Sequence, residues 1–428
     1  MTKNVKIDVQ YVTRVEGHGN IIIDVKNGQL VDCKLQIIEP PRFFEAMVRG
    51  RKFGDIPLIT SRICGICAVS HNTVANRSVE NAIGVVPSKQ TELLRKILFH
   101  GEMIQSHILH VYFLVAPDFL KVGSVIPLAS THPDIVKRAL RLKKLGNHIC
   151  EVLAGRHIHP IASVVGGFTK IPSKKELAEL KKEIEKHLPD FEATIELCKT
   201  LKIPSFERRT EYVALYKDDE YAFIDGVIKS SDGDKLNLKD YKKKAAEYIV
   251  KHSAAKHTKG NRDSYMVGAL ARVNNNFSQL SPLAKEVAKQ LGLKTPCYNP
   301  YMNSIAQVVE CAHCYEDIIR LLDIAIDTAK DEEITFTPKA GTGVGAVEAP
   351  RGILFHEYTF DDAGVCTAAN CIIPTGQNLE NIDLDMRKLV PEIIDLPQDE
   401  IRLMLEMLVR AYDPCISCAT HFLDVKFV

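Results

Sequence analysis

Two pairs of cysteines, Cys64-Gly-Ile-Cys67 near the start and Cys415-Ile-Ser-Cys418 near the end, are the residues best suited to chemistry in this sequence. Two intervening residues let a chain turn back on itself, so that both sulfurs of a pair can converge on one metal ion. A structural zinc ribbon brackets a short loop with its two pairs and so staples a small fold. Here almost the whole chain lies between them, and 428 residues can bury a core without a staple. Spacing alone leaves a structural zinc and a catalytic metal both open.

The flanking residues narrow the choice. The first pair stands in Ser61-Arg-Ile-Cys-Gly-Ile-Cys-Ala-Val-Ser-His71 and the second in Arg410-Ala-Tyr-Asp-Pro-Cys-Ile-Ser-Cys-Ala-Thr-His421. Four more segments occur in order: Arg14-Val-Glu-Gly-His-Gly19, Glu39-Pro-Pro-Arg-Phe-Phe-Glu45, Glu348-Ala-Pro-Arg-Gly352 and Ile372-Ile-Pro-Thr375. Together they resemble the nickel-iron hydrogenase large subunit, most closely its cytoplasmic multimeric branch, and the resemblance spans nearly the whole chain. It implies an α+β fold with a mainly helical body, long central helices and small peripheral sheets. It also implies reversible heterolytic cleavage of dihydrogen to protons and electrons.

The resemblance assigns residues. Cys64 and Cys415 match the terminal nickel ligands, and Cys67 and Cys418 the thiolates that bridge nickel to an iron carrying carbon monoxide and two cyanides. Four soft sulfurs suit a nickel that changes redox state. Arg351 matches an arginine over the open metal face, Pro350 and Thr375 the pocket wall, and His71 a histidine supporting a bridging sulfur. Asp413, two residues before Cys415, belongs with them. Glu16 matches the carboxylate that takes a proton from Cys415. Glu45, a backbone carbonyl at Cys371 and the imidazole of His421 match the ligands of magnesium or another hard divalent ion. Residues 422–428 resemble an extension removed by a maturation protease after nickel insertion by dedicated factors.

Other tempting residues take a plainer reading. Cys311-Ala-His-Cys314 has ligand spacing but lies in an apolar-periodic helix, where core packing is expected. His107 and His110 are expected to pack or hydrogen-bond. Ser106 departs from respiratory relatives that carry an aspartate paired with the pocket arginine. Gly341-Thr-Gly-Val-Gly345 lacks the flanking strand and helix of a dinucleotide site. No further cysteine series can hold iron-sulfur clusters, so electrons must leave through a partner: an iron-sulfur small subunit, with further flavin, NAD(P) or heterodisulfide-reductase-linked subunits behind it. Two alternatives stand beside this reading, a non-catalytic scaffold like the quinone-linked subunit of complex I and a zinc-stabilised structural protein.

The elements that must position these groups follow from periodicity. Residues 20–25 and 31–38 alternate as strands about a turn at 26–29. Helical patterns are expected over 92–115, 133–155, 173–201 with a capping box at Ser173 and Glu176, 301–330 and 398–409. Residues 212–238 suggest short strands, and the glycine-rich stretch from 339 to 345 leads into more. The expected organisation is one unit over 1–428: a sheet and first doublet (1–87), a helical body (88–335), a C-terminal region with the second doublet (336–421) and the extension (422–428). Fifty-five basic and fifty-four acidic residues give a net charge of +1, which argues against a broad nucleic-acid surface. Twelve cysteines without dense pairing suit a reducing, cytoplasmic setting. No apolar run is long enough to span a membrane.

Overall fold

The computed structural model describes residues 4–420. The amino-terminal segment forms an antiparallel three-stranded sheet, β1 (Val5–Val9), β2 (Gly19–Lys26) and β3 (Gln29–Ile37), with β2 in the centre. Alternation decides its faces: Ile21, Ile23 and Val25 of β2 and Cys33, Leu35 and Ile37 of β3 are buried, while the residues between them are partly exposed. The expected hairpin turn falls at Asn27 and Gly28, both at positive φ.

Helix α1 (Ala68–Ile83) starts directly after the first cysteine pair, a helix that periodicity does not single out because nearly every side is covered. Helix α2 (Lys89–Leu109) begins at Ser88, whose hydroxyl accepts the Thr91 N–H, and runs on through a π turn at His110–Val115 into Ala116–Phe119. The expected stop at 115 is therefore passed. Helix α3 (Pro133–Ala154) packs along α2 and ends at Gly155 in the left-handed region. The expected single helix over 173–201 is two, α4 (Lys174–Lys186) and α5 (Leu188–Lys199). Pro189 stands in the first turn of α5, where it lacks an N–H and its ring blocks continuation from α4. The capping box at Ser173 and Glu176 forms as expected.

Strands β4 (Glu211–Tyr216), β5 (Val227–Ser230) and β6 (Lys235–Leu236) are completed by β9 (Tyr265–Met266), while β7 (Ala246–Tyr248) and β8 (His257–Lys259) pair separately. Two helices follow, the short α6 (Ala269–Asn276) and the long buried α7 (Asn303–Thr328), which crosses α2. A second three-stranded sheet, β10 (Gly341–Ala349), β11 (Gly352–Phe360) and β12 (Cys366–Ile372), lies on α1. Helices α8 (Pro374–Ile393) and α9 (Gln398–Ala411) then deliver the second cysteine pair. One contiguous apolar core runs from the first sheet through these helices to both cysteine pairs.

Candidate metal centre

The first pair is shaped by its own turn. The N–H groups of Ile66 and Cys67 both point at Cys64 Sγ, at 3.3 and 3.2 Å, and Cys67 caps the start of α1. The opening turn of α1 is fixed in turn by Glu102 of α2, a residue that no sequence motif marks. Its carboxyl accepts the N–H groups of Val69 (2.6 Å) and Ser70 (2.9 Å) and the Ser70 hydroxyl. Burial pushes Glu102 up to about 8 despite these donors.

The second pair is held from a distance. Glu16 and Cys415 form a parallel bridge, and the Ile416 N–H donates to the Glu16 carbonyl at 2.9 Å. The Glu16 side chain accepts the Ser417 N–H (3.0 Å), the Ser417 hydroxyl (2.6 Å) and the Cys415 thiol (3.2 Å). Gly17, at φ 85°, allows this approach, because a Cβ there would stand 2.7 Å from the Ile416 Cβ. The Cys415 N–H donates to Thr375 Oγ1 at 2.8 Å. A second residue outside the motifs, Asp118, ties the two chain segments together. It pairs with Arg14 and with Arg410 (2.8 and 2.9 Å), two arginines that flank the Glu16 and Cys415 motifs.

All four sulfurs lie within 4.8 Å of one another, buried and unpaired by disulfides, with Cys64 Sγ 3.6 Å from Cys415 Sγ. Burial pushes the Cys415 and Cys418 thiols up, whereas S–H donation from Cys415, then Cys418 and Cys67, pulls Cys64 down. Packing four thiols so closely makes sense if a cation takes the place of their protons.

Arg351 completes the cluster. Its Nε donates to the Asp413 carbonyl (2.8 Å) and to Asp413 Oδ1 (3.1 Å), while Nη1 is buried without a partner. A guanidinium nitrogen orphaned beside four sulfurs fits a centre with a ligand of its own to offer. Asp413 supplies the carboxylate that Ser106 does not; Ser106 Oγ has no partner. Behind Arg351, Arg272 of α6 holds the carbonyls of Ala349 (2.9 Å) and Pro350 (3.0 Å) and lies between Glu310 and Glu348. Burial opposes ionisation of both carboxyls; Arg272 nonetheless holds Glu310 near 2, while Glu348 rises to about 7. His107 Nε2 faces Glu310 at 2.8 Å, and His110 bridges Gln307 (2.5 Å) and the Arg410 carbonyl (2.7 Å), as packing residues should.

The remaining expected residues are placed as follows. His71 sits on the first turn of α1 with Nδ1 3.3 Å from His356 Nε2. Glu45 is buried and accepts the Cys371 N–H at 2.7 Å, which puts it beside the backbone expected to share its ion. The Arg42 N–H donates to the Thr420 carbonyl at 2.6 Å, so the chain reaches this corner one residue before His421. His421 and the extension lie outside the described residues. Cys311 and Cys314 are buried in α7, where burial pushes both thiols up.

A family model described as nickel-dependent hydrogenase matches residues 42–134 and 213–421. This chain belongs to the nickel-dependent hydrogenases. It is a catalytic nickel-iron hydrogenase large subunit, an oxidoreductase acting on dihydrogen, with Cys64, Cys67, Cys415 and Cys418 at its metal site. A model described as HoxL-like matches residues 6–39. Among relatives of this hydrogenase, the alpha subunit of sulfhydrogenase 1 from Pyrococcus furiosus is 36% identical over 97% of both chains. The corresponding chain of the F420-non-reducing hydrogenase from Methanothermobacter thermautotrophicus is 31% identical over 98% of this chain and 95% of its own. In three dimensions, an NAD+-reducing [NiFe]-hydrogenase in the H2-reduced state superposes with a TM-score of 0.88 at 29% identity, covering 97% of this chain and 99% of that one. A [NiFeSe]-hydrogenase of Dm. baculatum, at 23% identity and a TM-score of 0.80, shares the fold over 98% of this chain and 100% of its own. The scaffold and zinc-staple alternatives give way to these matches together with the four converged sulfurs. No helix among the described residues is long and apolar enough to cross a membrane.

Proposed function

We propose that this hydrogenase subunit cleaves dihydrogen heterolytically and reversibly, with Cys415 and Glu16 as its first proton-handling pair. The carrying observation is the 3.2 Å contact from Cys415 Sγ to Glu16 Oε2. Cys64 and Cys415 would be terminal ligands of nickel, and Cys67 and Cys418 would bridge to iron carrying carbon monoxide and two cyanides. Such a centre, when bound, supplies the redox-active soft metal that polarises dihydrogen. The chain's own residues do the rest. Cys415 Sγ is buried and Glu16 half-buried, so a proton passed along this contact moves from the interior toward the surface. Ser417 Oγ, 2.6 Å from Glu16 Oε1, keeps the carboxylate aimed at the thiol. Arg351, fixed by Asp413, keeps one buried N–H free to face a polarised substrate.

Glu45, the Cys371 carbonyl and His421 would hold a magnesium-type ion, and His71 would support a bridging sulfur. Electrons would pass to an iron-sulfur small subunit, then onward to further electron-transfer subunits. In support, the described residues bring no other group of three or more cysteine sulfurs together in space. Leu58, Ile158 and Ile161 also stand exposed on two segments tied by His159 Nδ1 and the Ser61 carbonyl at 3.0 Å, an apolar rim suited to a partner. Twelve free cysteines support a cytoplasmic setting. The test is Glu16→Gln in the assembled enzyme: nickel content unchanged and hydrogen-deuterium exchange with solvent lost. Exchange at the wild-type rate would remove Glu16 from the path.

A further inference from the structure

A second group of metal-type side chains lies elsewhere in the fold and shares no residue with the four-cysteine centre. His252, in the turn between β7 and β8, His257 on β8 and Asp383 on α8 bring one ligand atom each within 4.8 Å of the others. No motif in the sequence marks these three residues: the two histidines lie close together, and Asp383 stands more than a hundred positions further along.

Their hydrogen bonding is arranged for a cation. His257 is fully buried, and its Nδ1 lies 3.1 Å from Glu380 Oε2, a carboxylate that also accepts the Tyr248 hydroxyl at 2.9 Å. With Nδ1–H donating to that carboxylate, Nε2 carries a bare lone pair, and Nε2 is buried with no partner. A carboxylate behind a histidine fixes the tautomer and raises ligand basicity in the same way at metal sites generally. His252 Nε2 stands 3.5 Å from Asp383 Oδ2, a loose ion pair that falls short of good hydrogen-bond geometry. The other Asp383 oxygen accepts the Leu35 N–H at 2.7 Å, which orients the free oxygen toward the histidines. No lysine or arginine among the described residues pairs with Asp383, and burial pushes its carboxyl above the ordinary range. The buried His257 Nε2 without a partner, beside a loosely paired His252 and a buried carboxylate, is left unsatisfied unless something fills the space between them.

We infer that His252, His257 and Asp383 form a binding site for a divalent cation of the zinc class, with Glu380 orienting His257. Two imidazoles and a carboxylate are a borderline donor set, softer than calcium or magnesium prefers and poorer in sulfur than a thiolate cluster. Metal-ligand distances of about 2.0–2.2 Å require the three atoms to draw together by roughly 1 Å, within the reach of side-chain rotation. His252 is the most exposed of the three, with its side chain 25% exposed, so an ion would enter past it. The bound ion clips three segments: the turn before β8, helix α8, and through Leu35 the amino-terminal sheet. Helix α8 also carries Thr375, the acceptor for the Cys415 N–H.

The test is zinc binding to the purified, nickel-loaded enzyme after dialysis against a weak chelator, counting zinc, nickel and iron per chain by mass spectrometry. Wild type should take up one zinc more than His252→Ala and Asp383→Asn, with nickel and iron unchanged in all three. Glu380→Gln should weaken zinc binding about 10–100-fold without abolishing it. Because Asp383 is buried, His252→Gln serves as the variant least able to disturb folding, and it should lose zinc affinity by a factor of about ten or more. Cobalt(II) added in place of zinc should give a visible ligand-field band in wild type alone. Equal zinc uptake by wild type and His252→Gln, or the same cobalt spectrum from both, would overturn the site whatever the state of the nickel centre.

Discussion

The two cysteine pairs have the same spacing and opposite construction. The first is made mainly by near neighbours: its own backbone donates to Cys64 Sγ, a helix begins directly after Cys67, and Glu102, 33 residues beyond Val69, fixes that helix's first turn. The second is made by contacts from across the sequence, with Glu16, Thr375 and Asp118 reaching it or its approach from 399, 40 and 292 residues away. A local turn forms as soon as its chain segment does, whereas the second pair is in place only when the ends of the chain have met. The first pair is therefore a preformed half-site and the second a closing one, and the acid-base chemistry proposed for Cys415 and Glu16 would sit on the half that closes.

Substitutions can break this contrast. The largest effect is expected from Cys415→Ser and Cys64→Ser, each reducing hydrogen-dependent dye reduction to background. If the comparison holds, a nickel-loading assay separates them, with Cys415→Ser leaving the Cys64 turn able to take up metal weakly. Next comes Glu16→Gln, which should retain nickel and lower isotope exchange by about 10²–10⁴, the usual worth of a positioned proton carrier. Arg351→Lys keeps the charge and loses the planar fork; a fall in turnover of roughly 10² at unchanged nickel content is expected. Smaller changes sharpen the comparison. Thr375→Val strands the Cys415 N–H and Glu102→Gln disturbs the cap of α1, each costing about 1–3 kcal/mol of stability by thermal melting. Of the two, Thr375→Val alone should slow metal-dependent closure.

The smallest effect at neutral pH belongs to a control remote from both pairs. His313 is buried, accepts the Ser281 N–H on Nδ1 at 3.2 Å and is pushed down to about 4, first by burial and then by His100. A histidine neutral in the fold and protonated when unfolded confers its stability above a pH of about 6.5 and loses it as pH falls toward its folded value. The loss is roughly 2 kcal/mol by a pH of about 5, and His313→Gln should remove that part of the melting-temperature decline while leaving neutral pH unchanged.

What the sequence made legible was chemistry carried by short motifs and elements with one dry face. The alternation of β2, the capping box of α4 and the helices α3, α7 and α9 lie close to their expected bounds. Helix α1 was illegible because burial on nearly every side erases the 3.6-residue contrast that marks a surface helix. The break at Pro189 was present in the letters but outweighed by the charged periodicity on both sides of it. At the site, cysteines, Glu16 and Arg351 announced themselves through motif context. Glu102, Asp118 and Arg272 did not, because a polar residue isolated in an apolar helix carries no local sign of which distant backbone it will hold.

The glycine-rich strand β10 has a dimensional consequence. Cβ atoms at Gly341, Gly343 and Gly345 would stand 2.3 Å from the Ala82 carbonyl oxygen, 2.4 Å from the Ser78 carbonyl oxygen and 2.6 Å from the Val74 carbonyl oxygen of α1. Two residues of strand advance about 6.6 Å and four residues of helix about 6.0 Å, so alternate glycines keep step with successive turns of α1. The strand runs back along the helix toward Cys67 and ends directly before Pro350 and Arg351. Strand and helix thus act as two nearly matched rulers laid edge to edge. Counted residues, and not a flexible side chain, meter out how far the arginine travels before it meets the sulfurs. A single residue inserted between Gly345 and Ala349 would put the scales out of step and displace the turn that presents Arg351.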